Sequence, residues 1–319
     1  MADVICVGCA SLDIMISGIA IHENGDLCVD FLDRIGYADQ IRLAPGGDAL
    51  NEATVLSRLG VDVQLVCGLG DDMEGQVLKN QLKDAGVDIT GITWHQTEKT
   101  MSSLLFIQRD AERYFVQEPF SRSTSFSLRA ETFDGAKVVS LASLFYTPFD
   151  TADTIAKTLK YAKDCGAVTC ADVILTPNCT LSLDEIKHCL PSLDFFFPNL
   201  AEAKALTGEN TPEMAARVLK NMGIGTVVIK MGENGCYVLN DTFCENVPAF
   251  HGKSIDSTGA GDSFIAGFIA AWIDGESVID SIRFGSVTAL LSIGAVGATA
   301  GIKNREAVIE ILQYHSETK

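Results

Sequence analysis

Apolar and polar positions alternate along most of the chain in a way that predicts strands and helices in succession. Short apolar runs indicate buried strands, and longer stretches with apolar residues every three or four positions indicate helices. Strands are predicted at Val4–Gly8, Val61–Gly70, Val138–Leu141, Val168–Val173, Phe195–Phe197, Thr226–Lys230 and Cys236–Leu239. Helices are predicted from Pro45-Gly46-Gly47 to Gly60, and at Glu74–Ala85, Thr151–Cys165, Asp184–Leu190, Ala201–Leu206, Pro212–Met222, 261–274, 278–293 and 304–314. This order predicts an α/β fold, with a doubly wound, mostly parallel sheet flanked by helices.

Two stretches, at about 14–45 and 95–122, do not fit this alternation. Both consist of short apolar runs separated by turn residues, without a helical period, which is typical of β structure. Since they are far apart in sequence, a small sheet built from both would cover one edge of the main domain. We therefore expect a single α/β domain over 1–319, with a small β lid formed from these two stretches.

Composition and charge limit the kinds of partner. The chain has 319 residues, of which 47% are hydrophobic, which is enough for one large core. The net charge of −18 argues against nucleic acid or an anionic membrane as the main partner, because both would be repelled. The N-terminus has no basic segment leading into an apolar run, and the ten cysteines lie mostly in apolar segments. We therefore expect a cytoplasmic protein with reduced thiols.

The stretch Asp256–Asp262 is the strongest candidate for chemistry. It precedes an apolar helix in which Phe264, Phe268 and Trp272 recur every fourth residue. The small residues leave the first N–H groups of that helix uncovered, and free N–H groups at the positive end of a helix bind anions. Asp262 places a carboxylate beside that site, which suits the transfer of a phosphoryl group to a hydroxyl. The alternative is an ordinary helix start with a favourable first-turn charge.

Two earlier segments could bind a small polyol. In Pro45-Gly46-Gly47, the glycines let backbone N–H groups come close to a ligand, and Asn51 can both donate and accept hydrogen bonds. Asp13, after the first strand, could accept a hydrogen bond from a hydroxyl. The alternatives are a turn in which Asp48 caps the following helix, and a solvated loop carboxylate at Asp13.

Two later segments could serve a nucleotide. In the first segment, Asn199 would lie near the phosphates and Glu202 near Mg²⁺ or its waters. In the second, Lys230 would reach the phosphates, and Gly232 and Gly235 would leave space near them. Each segment has a structural alternative. Asn199 and Glu202 have the spacing of a capping box. The Asn-Gly pair that ends the second segment favours a two-residue hairpin turn.

The order of these segments resembles that of the ribokinase-like (phosphofructokinase B type) carbohydrate kinases, over about residues 3–302. The Gly-Gly and Gly-Ala-Gly-Asp motifs are the specific parts of this resemblance. It implies an ATP-dependent sugar kinase with a mostly parallel sheet and a β lid over the sugar. The roles that it implies are Asp262 as the base; Gly259, Ala260 and Gly261 as the anion hole; Asp13, Gly46, Gly47 and Asn51 as sugar ligands; Asn199 and Glu202 for Mg²⁺ and the phosphates; and Lys230, Gly232 and Gly235 for ATP.

The resemblance has further implications for ligands and assembly. Members of that family often bind a monovalent cation beside the residues that match Asp256 and Thr258, which makes K⁺ a candidate ligand here. In the lid, Ser103 and Arg109, together with Arg113, are expected to meet the substrate, although exposed loop arginines are more often simply solvated. The lid also offers a surface through which a homodimer could form.

Some positions depart from ribokinase itself. Asp48 stands where that enzyme has a lysine, and Glu52 where it has a glutamine. The run Ser140–Leu144 contains no acid, although ribokinase places a sugar-contacting glutamate there. Within the resemblance, these departures favour a hexulose such as fructose, or a keto-deoxy sugar acid, over ribose as the acceptor. A nucleoside kinase on the same scaffold and a non-catalytic sugar- or nucleotide-binding protein are the alternatives.

Overall fold

The computed structural model describes residues 2–18, 20–21, 27–28, 31–32, 35–36, 38–107, 113–117 and 126–317. The strands are β1 (Val4–Val7), β2 (Ser11–Ser17), β3 (Ala20–Ile21), β4 (Leu27–Cys28), β5 (Phe31–Leu32), β6 (Ile35–Gly36), β7 (Gln40–Gly46), β8 (Val63–Val66), β9 (Gly68–Gly70), β10 (Thr93–His95), β11 (Met101–Ile107), β12 (Arg113–Gln117), β13 (Val138–Leu144), β14 (Val168–Val173), β15 (Phe195–Phe196), β16 (Thr226–Lys230), β17 (Cys236–Leu239) and β18 (Cys244–Val247). The helices are α1 (Asp48–Arg58), α2 (Met73–Asp84), α3 (Ala152–Asp164), α4 (Leu183–Ile186), α5 (Leu200–Thr207), α6 (Pro212–Asn221), α7 (Ala260–Trp272), α8 (Val278–Ile293) and α9 (Arg305–Glu317).

The main sheet of the described chain has eight strands in the order β18-β17-β16-β15-β14-β13-β1-β8. The six strands from β8 to β16 are parallel, and β17 and β18 add an antiparallel edge. The predicted α/β class, with a mostly parallel sheet flanked by helices, is confirmed. Because the carboxyl ends of parallel strands meet at one edge of a sheet, the segments that follow β1, β13, β14 and β16 open onto the same cleft.

Successive residues of the parallel strands are buried on opposite faces of the sheet. In β1, Val4 and Cys6 belong to the hydrophobic layer that contains α1, α7 and α8, whereas Ile5 and Val7 belong to the layer that contains α3 and α6. Helices therefore cover both faces, as the continuous apolar runs of these strands require. Within the described ranges, no helix is long and apolar enough to span a lipid bilayer.

Aromatic packing holds α7 against the middle of the sheet. The Phe268 ring lies edge-on to the rings of Phe195 in β15 and of Phe197 just after it, with centroid distances of 4.9 and 5.0 Å. Trp272, one turn further along the helix, lies 4.9 Å from Phe195. Burying one such side chain contributes roughly 2–3 kcal/mol. The periodic aromatic residues seen in the sequence therefore fix the position of the helix that carries Asp262.

A second sheet has the strand order β12-β11-β2-β7 in the described part of the chain. Its strands come from both of the stretches that interrupt the main alternation. Asp13 lies opposite Ala44 of β7 and Ser103 of β11, and only 7% of its surface is exposed. The alternative of a solvated loop carboxylate at Asp13 is therefore wrong. We refer to these four strands as the small sheet.

Three local predictions differ from the structure. The single strand predicted at Val61–Gly70 is divided into β8 and β9, because β9 leaves the main sheet to pair with β10. The predicted helix at Asp184–Leu190 is shorter: α4 ends at Ile186, and a 3₁₀ turn follows from Leu190 to Ser192. The residues between β16 and β17 form a 3₁₀ turn at Gly232–Asn234 in place of a two-residue Asn-Gly turn.

Candidate active site

The glycines before α7 allow the backbone to make a tight entry into the helix. Gly259 is the N-cap, with a left-handed φ of 69°, and a Cβ there would lie 2.7 Å from the Ala298 carbonyl oxygen. A Cβ at Gly261 would be 3.1 Å from the Lys230 ammonium nitrogen. The Ala260 N–H donates to the Ser257 carbonyl at 3.3 Å, while the Gly261 N–H has no backbone acceptor among the described residues. Glycine at position 261 therefore lets the start of α7 approach Lys230, where a side chain would crowd the ammonium group.

Asp262 lies in the first turn of α7 and is buried, with 7% of its surface exposed. The Asn51 side-chain amide donates a hydrogen bond to its Oδ2 atom at 2.7 Å. Burial, followed by the negative charge of Asp172, raises the pKa of Asp262 to about 7, against the lowering effects of Asn51 and Lys230. A carboxyl with this pKa can exchange a proton near neutral pH.

Asp172, near the end of β14, is a site residue that the sequence did not indicate as functional. Both of its oxygens accept hydrogen bonds from the Lys230 ammonium, at 2.7 and 2.9 Å. One carboxylate oxygen each of Asp48, Asp172 and Asp262 lies within 4.8 Å of the others. A carboxylate is unusual in an otherwise apolar strand. Its place near the carboxyl end, which faces the cleft in a parallel sheet, makes a functional role the natural explanation. This feature of the sequence was the available indication.

Lys230 ends β16 and is the cation of this cluster among the described residues. Burial lowers the pKa of Lys230, but the carboxylates of Asp172 and Glu202 outweigh it, so that the pKa is raised and the side chain stays charged. The Lys230 backbone forms an isolated parallel bridge with Asn199. The two segments predicted to serve a nucleotide are therefore adjacent in space.

Asn199 and Glu202 form a capping box at the start of α5. The Glu202 N–H donates to Asn199 Oδ1 at 2.9 Å, and the Asn199 N–H donates to Glu202 Oε2 at 2.7 Å. Burial, then the charge of Asp172, raises the pKa of Glu202 to about 7. The capping box that the spacing suggested is therefore present. The Glu202 carboxyl also lies close enough to Lys230 and Asp172 to interact with their charges. With Oε2 engaged in the cap, Glu202 suits a magnesium ion held through water.

The two glycines of the segment after β16 have different roles. Gly235 has a φ of 80°, and a Cβ there would lie 2.0 Å from the Val247 carbonyl oxygen, so glycine is required by packing. Gly232 has a φ of 58° and no atom within 4 Å of its Cβ position. The open space at Gly232 is the part of this turn that a ligand could approach.

The small sheet and the start of α1 form the opposite wall of the cleft. A Cβ at Gly46 would lie 2.4 Å from the Asp13 carboxylate, so glycine is required where β7 passes Asp13. Burial raises the pKa of Asp13 to about 6, although hydrogen bonds from Ser11 and Ser103 lower it. Ser103 is 2% exposed, and its hydroxyl donates a hydrogen bond to the Asp13 carboxylate.

Gly47 is the N-cap of α1, with a φ of 87°, and a Cβ there would lie 2.7 Å from the Cys9 carbonyl oxygen. Asp48 is the first residue of that helix and not its N-cap, so the alternative in which Asp48 caps the helix is wrong. Because Gly47 takes the capping position, the Asp48 carboxylate is directed to the acidic cluster.

Three residues remain from the sequence predictions: the two lid arginines and the acid before α7. Arg109 and the side chain of Arg113 lie outside the described residues. Asp256 is buried before α7, where Oδ1 accepts the Thr258 N–H at 2.9 Å and Oδ2 accepts the Gly297 N–H at 2.7 Å. The carboxylate of Asp256 therefore ties the loop before α7 to the loop after α8.

The fold is shared with solved kinase structures. The ribokinase of Arabidopsis thaliana, complexed with ribose and ATP, superposes with a TM-score of 0.82 at 21% identity, over 98% of this chain and 99% of that chain. The fructokinase of Xylella fastidiosa with bound ATP superposes with a TM-score of 0.80 at 22% identity, over 99% of this chain and 100% of that chain. These likenesses define a ribokinase-like α/β fold.

Sequence similarity defines the family. Residues 8–305 match the pfkB family carbohydrate kinases. The ribokinase of Haemophilus influenzae is 29% identical over 280 residues, which are 86% of this chain and 89% of that protein. Fructokinase-2 of Solanum lycopersicum is 26% identical over 310 residues, which are 91% of this chain and 94% of that protein. The chain belongs to the pfkB family of carbohydrate kinases, which confirms both the resemblance and the sugar-kinase class predicted from the sequence.

Proposed function

We propose that this sugar kinase transfers the γ-phosphoryl group of ATP to a primary hydroxyl of a small sugar, with Asp262 as the general base. The hydrogen bond between Asn51 and Asp262 is the observation that carries the proposal. It joins a residue of the predicted sugar-binding helix to an acid at the start of the helix that opens beside Lys230. This contact supports a role for Asp262 at the point where an alcohol and a terminal phosphate would meet.

The proposed mechanism uses the charges of the cleft. Asn51 orients the Asp262 carboxylate, which removes the proton from the acceptor hydroxyl as the new bond forms. Gly259, Ala260 and Gly261 form the proposed anion hole, where the positive end of α7 offsets negative charge on the transferred group. Lys230 adds a positive charge beside Gly261. Exclusion of water by the small sheet, acting as a lid on the single kinase domain, would prevent hydrolysis in place of transfer.

We assign the nucleotide to the side of the cleft lined by Asn199, Lys230, Gly232 and Gly235. ATP would supply the phosphoryl group. Glu202 would hold a magnesium ion through water, and such an ion would offset the charge of the ATP phosphates. K⁺ would bind beside Asp256, in the loop that leads into α7. Asp13, Gly46, Gly47, Asn51, Ser103 and Arg109 are proposed for the sugar side.

The acceptor is proposed to be a hexulose such as fructose, or a keto-deoxy sugar acid, in preference to ribose. The relatives include proteins named ribokinase and proteins named fructokinase, so their names do not decide between the two sugars. The preference rests on the run Ser140–Leu144, which lacks an acid that could hold a ribose hydroxyl. A panel of sugars and nucleosides tested with ATP identifies the acceptor. Turnover of nucleosides alone would contradict the sugar assignment.

We further propose a homodimer formed through the small sheet, which has an apolar outer face. The register places the face in two cross-strand rows, Leu43-Ile14-Leu104-Val116 and Ile41-Ile16-Phe106-Tyr114. Ile41, Leu43 and Val116 are 67%, 54% and 52% exposed in the single chain. An exposed apolar face of this extent favours a second copy of the chain as its cover.

The base assignment is tested by Asp262→Asn. This variant keeps the shape and the Asn51 contact but removes the proton acceptor, so turnover should fall about 10²- to 10⁴-fold. Calorimetric titration with the sugar and with a non-hydrolysable ATP analogue should show binding close to that of the original protein. Asp241→Asn, at an exposed turn, serves as the matched control. Near-normal turnover of Asp262→Asn would refute the assignment.

A further inference from the structure

The loop after β13 has a backbone strain that the proposed roles do not explain. Phe145 has a φ of 71°, a left-handed conformation that a bulky residue rarely adopts. The conformation is held by hydrogen bonds from the Phe145 N–H to the Phe149 carbonyl at 3.1 Å and from the Tyr146 N–H to the Ser143 carbonyl at 3.0 Å. Backbone strain of this kind persists where the surrounding structure enforces it, often at ligand sites.

The strained turn buries Phe145 and leaves Tyr146 half-buried at the cleft. The Tyr146 hydroxyl donates a hydrogen bond to the Met101 sulfur at 3.5 Å. Met101 lies opposite Ser11 in the small sheet, two residues before Ser103, so both lie on the face that carries Asp13. Tyr146 therefore connects the main sheet to the sugar-facing side of the small sheet.

A second set of neighbours places the same ring beside α1. Burial raises the pKa of Tyr146 to about 12, and the nearby Cys9 and Asp48 contribute to the rise. Cys9 follows β1, and Asp48 begins the helix after Gly47. The phenol thus lies among three segments that converge on the acceptor side of the cleft, and it carries no charge at neutral pH.

A thioether is a weak hydrogen-bond acceptor, so the contact between the phenol and Met101 is readily exchanged for another. A sugar hydroxyl would be a stronger partner for the same O–H group. We propose that Tyr146 is a specificity-determining residue of the acceptor site, which exchanges its contact with Met101 for a hydrogen bond to a sugar hydroxyl. The inference rests on the proposed function, and it identifies Tyr146 as the residue that recognises one hydroxyl of the acceptor.

The test compares Tyr146→Phe with the original protein by calorimetric titration of the acceptor sugar and of its single-deoxy analogues. Loss of one hydrogen bond should weaken binding of the sugar about tenfold. In the original protein one deoxy analogue should lose a similar factor, and Tyr146→Phe should bind that analogue and the parent sugar equally. This pattern identifies the hydroxyl that Tyr146 recognises.

Two variants control for effects on packing. Tyr161→Phe removes a phenol hydroxyl on α3, where the ring packs against Phe133 on the other side of the main sheet, and it should leave sugar binding unchanged. Met101→Leu removes the thioether but keeps the phenol, so sugar binding should be retained or improved. Equal affinity of Tyr146→Phe and the original protein for every analogue would overturn the inference alone. Failure of the original protein to bind any sugar would overturn the proposed function as well.

Discussion

The charge on Asp262 near neutral pH is decided by opposing influences from single residues. Burial and Asp172 raise its pKa, whereas Asn51 and Lys230 lower it. Asn51→Leu removes one lowering contribution, so the pKa should rise above about 7. Because Asp262 must be ionised to act as the proposed base, the acidic limb of the kcat/KM profile should move to higher pH by about one pH unit. The part of the activity that is lost through protonation of Asp262 should recover as the pH is raised toward 9, whereas the loss from the missing contact between Asn51 and the sugar should remain.

The measurement is the pH dependence of kcat/KM, which reports the ionisation of the free enzyme. Asn221→Leu, on the exposed side of α6, provides a control for the loss of an amide. An unchanged acidic limb in folded Asn51→Leu would show that another group controls the profile. Melting temperatures of the variants establish that both are folded at each pH.

At the residue scale, the sequence predicted the individual site residues better than the contacts between them. Asp262 and Asn51 were recognisable because each follows glycines that leave room for a ligand. Their contact joins positions 211 residues apart and depends on how α1 packs against α7. Asp172 was missed because an apolar run predicts a strand but does not tell which of its side chains lies at the open end.

At the element scale, α7 has a glycine of positive φ at each end. Gly259 has a φ of 69° and is packed against the Ala298 backbone, whereas Gly275, just after the helix, has a φ of 90° and open space at its Cβ position. Gly275→Ala should cost about 1 kcal/mol from the left-handed backbone alone. Gly259→Ala should cost roughly 2–4 kcal/mol, because the methyl group also displaces backbone.

Chemical denaturation gives both free energies of unfolding, and steady-state assays give turnover. Gly259→Ala should also reduce turnover at least about tenfold, because it moves the first turn that carries Asp262. Gly275→Ala should leave turnover unchanged. Equal destabilisation by the two substitutions would contradict the packing argument.

The helices that were predicted best have the clearest hydrophobic period. The predicted spans 261–274 and 278–293 correspond to α7 at Ala260–Trp272 and α8 at Val278–Ile293. The division between β8 and β9 was not predictable, because β9 is only three residues long and its partner β10 is set by tertiary packing. Short strands carry too little local information to define their own sheet.

At the scale of the whole molecule, the apolar face of the small sheet predicts self-association. Leu43→Asp places a charge within the proposed interface, at a cost of roughly 3 kcal/mol, which is about a hundredfold in the dimer dissociation constant. Sedimentation velocity at micromolar concentration should show a dimer for the original protein and a monomer for the variant. Met73→Asp, at a side chain 79% exposed on α2, should remain dimeric. A monomeric original protein would exclude the dimer.

The overall architecture was predictable because strand and helix patterns alternate over most of the chain, and the family comparison agrees with it. The two interruptions at about 14–45 and 95–122 were recognised as β structure, and strands from both meet in the small sheet. The register that places Asp13 opposite Ser103 could not be predicted, since a shift by one residue reverses which side chains face the cleft.

The connection between β7 and α1 is a single residue, Gly47. The strand ends at Gly46 and the helix that carries Asn51 begins at Asp48, so no flexible linker lies between the two elements. If the small sheet tilts over an arriving sugar, as proposed, the movement would pull on the first turn of α1 and, through Asn51, on the carboxylate of Asp262. On the proposed assignment, binding of the acceptor and alignment of the Asp262 carboxylate would be coupled, and the enzyme without sugar would hold this carboxylate in a less productive orientation.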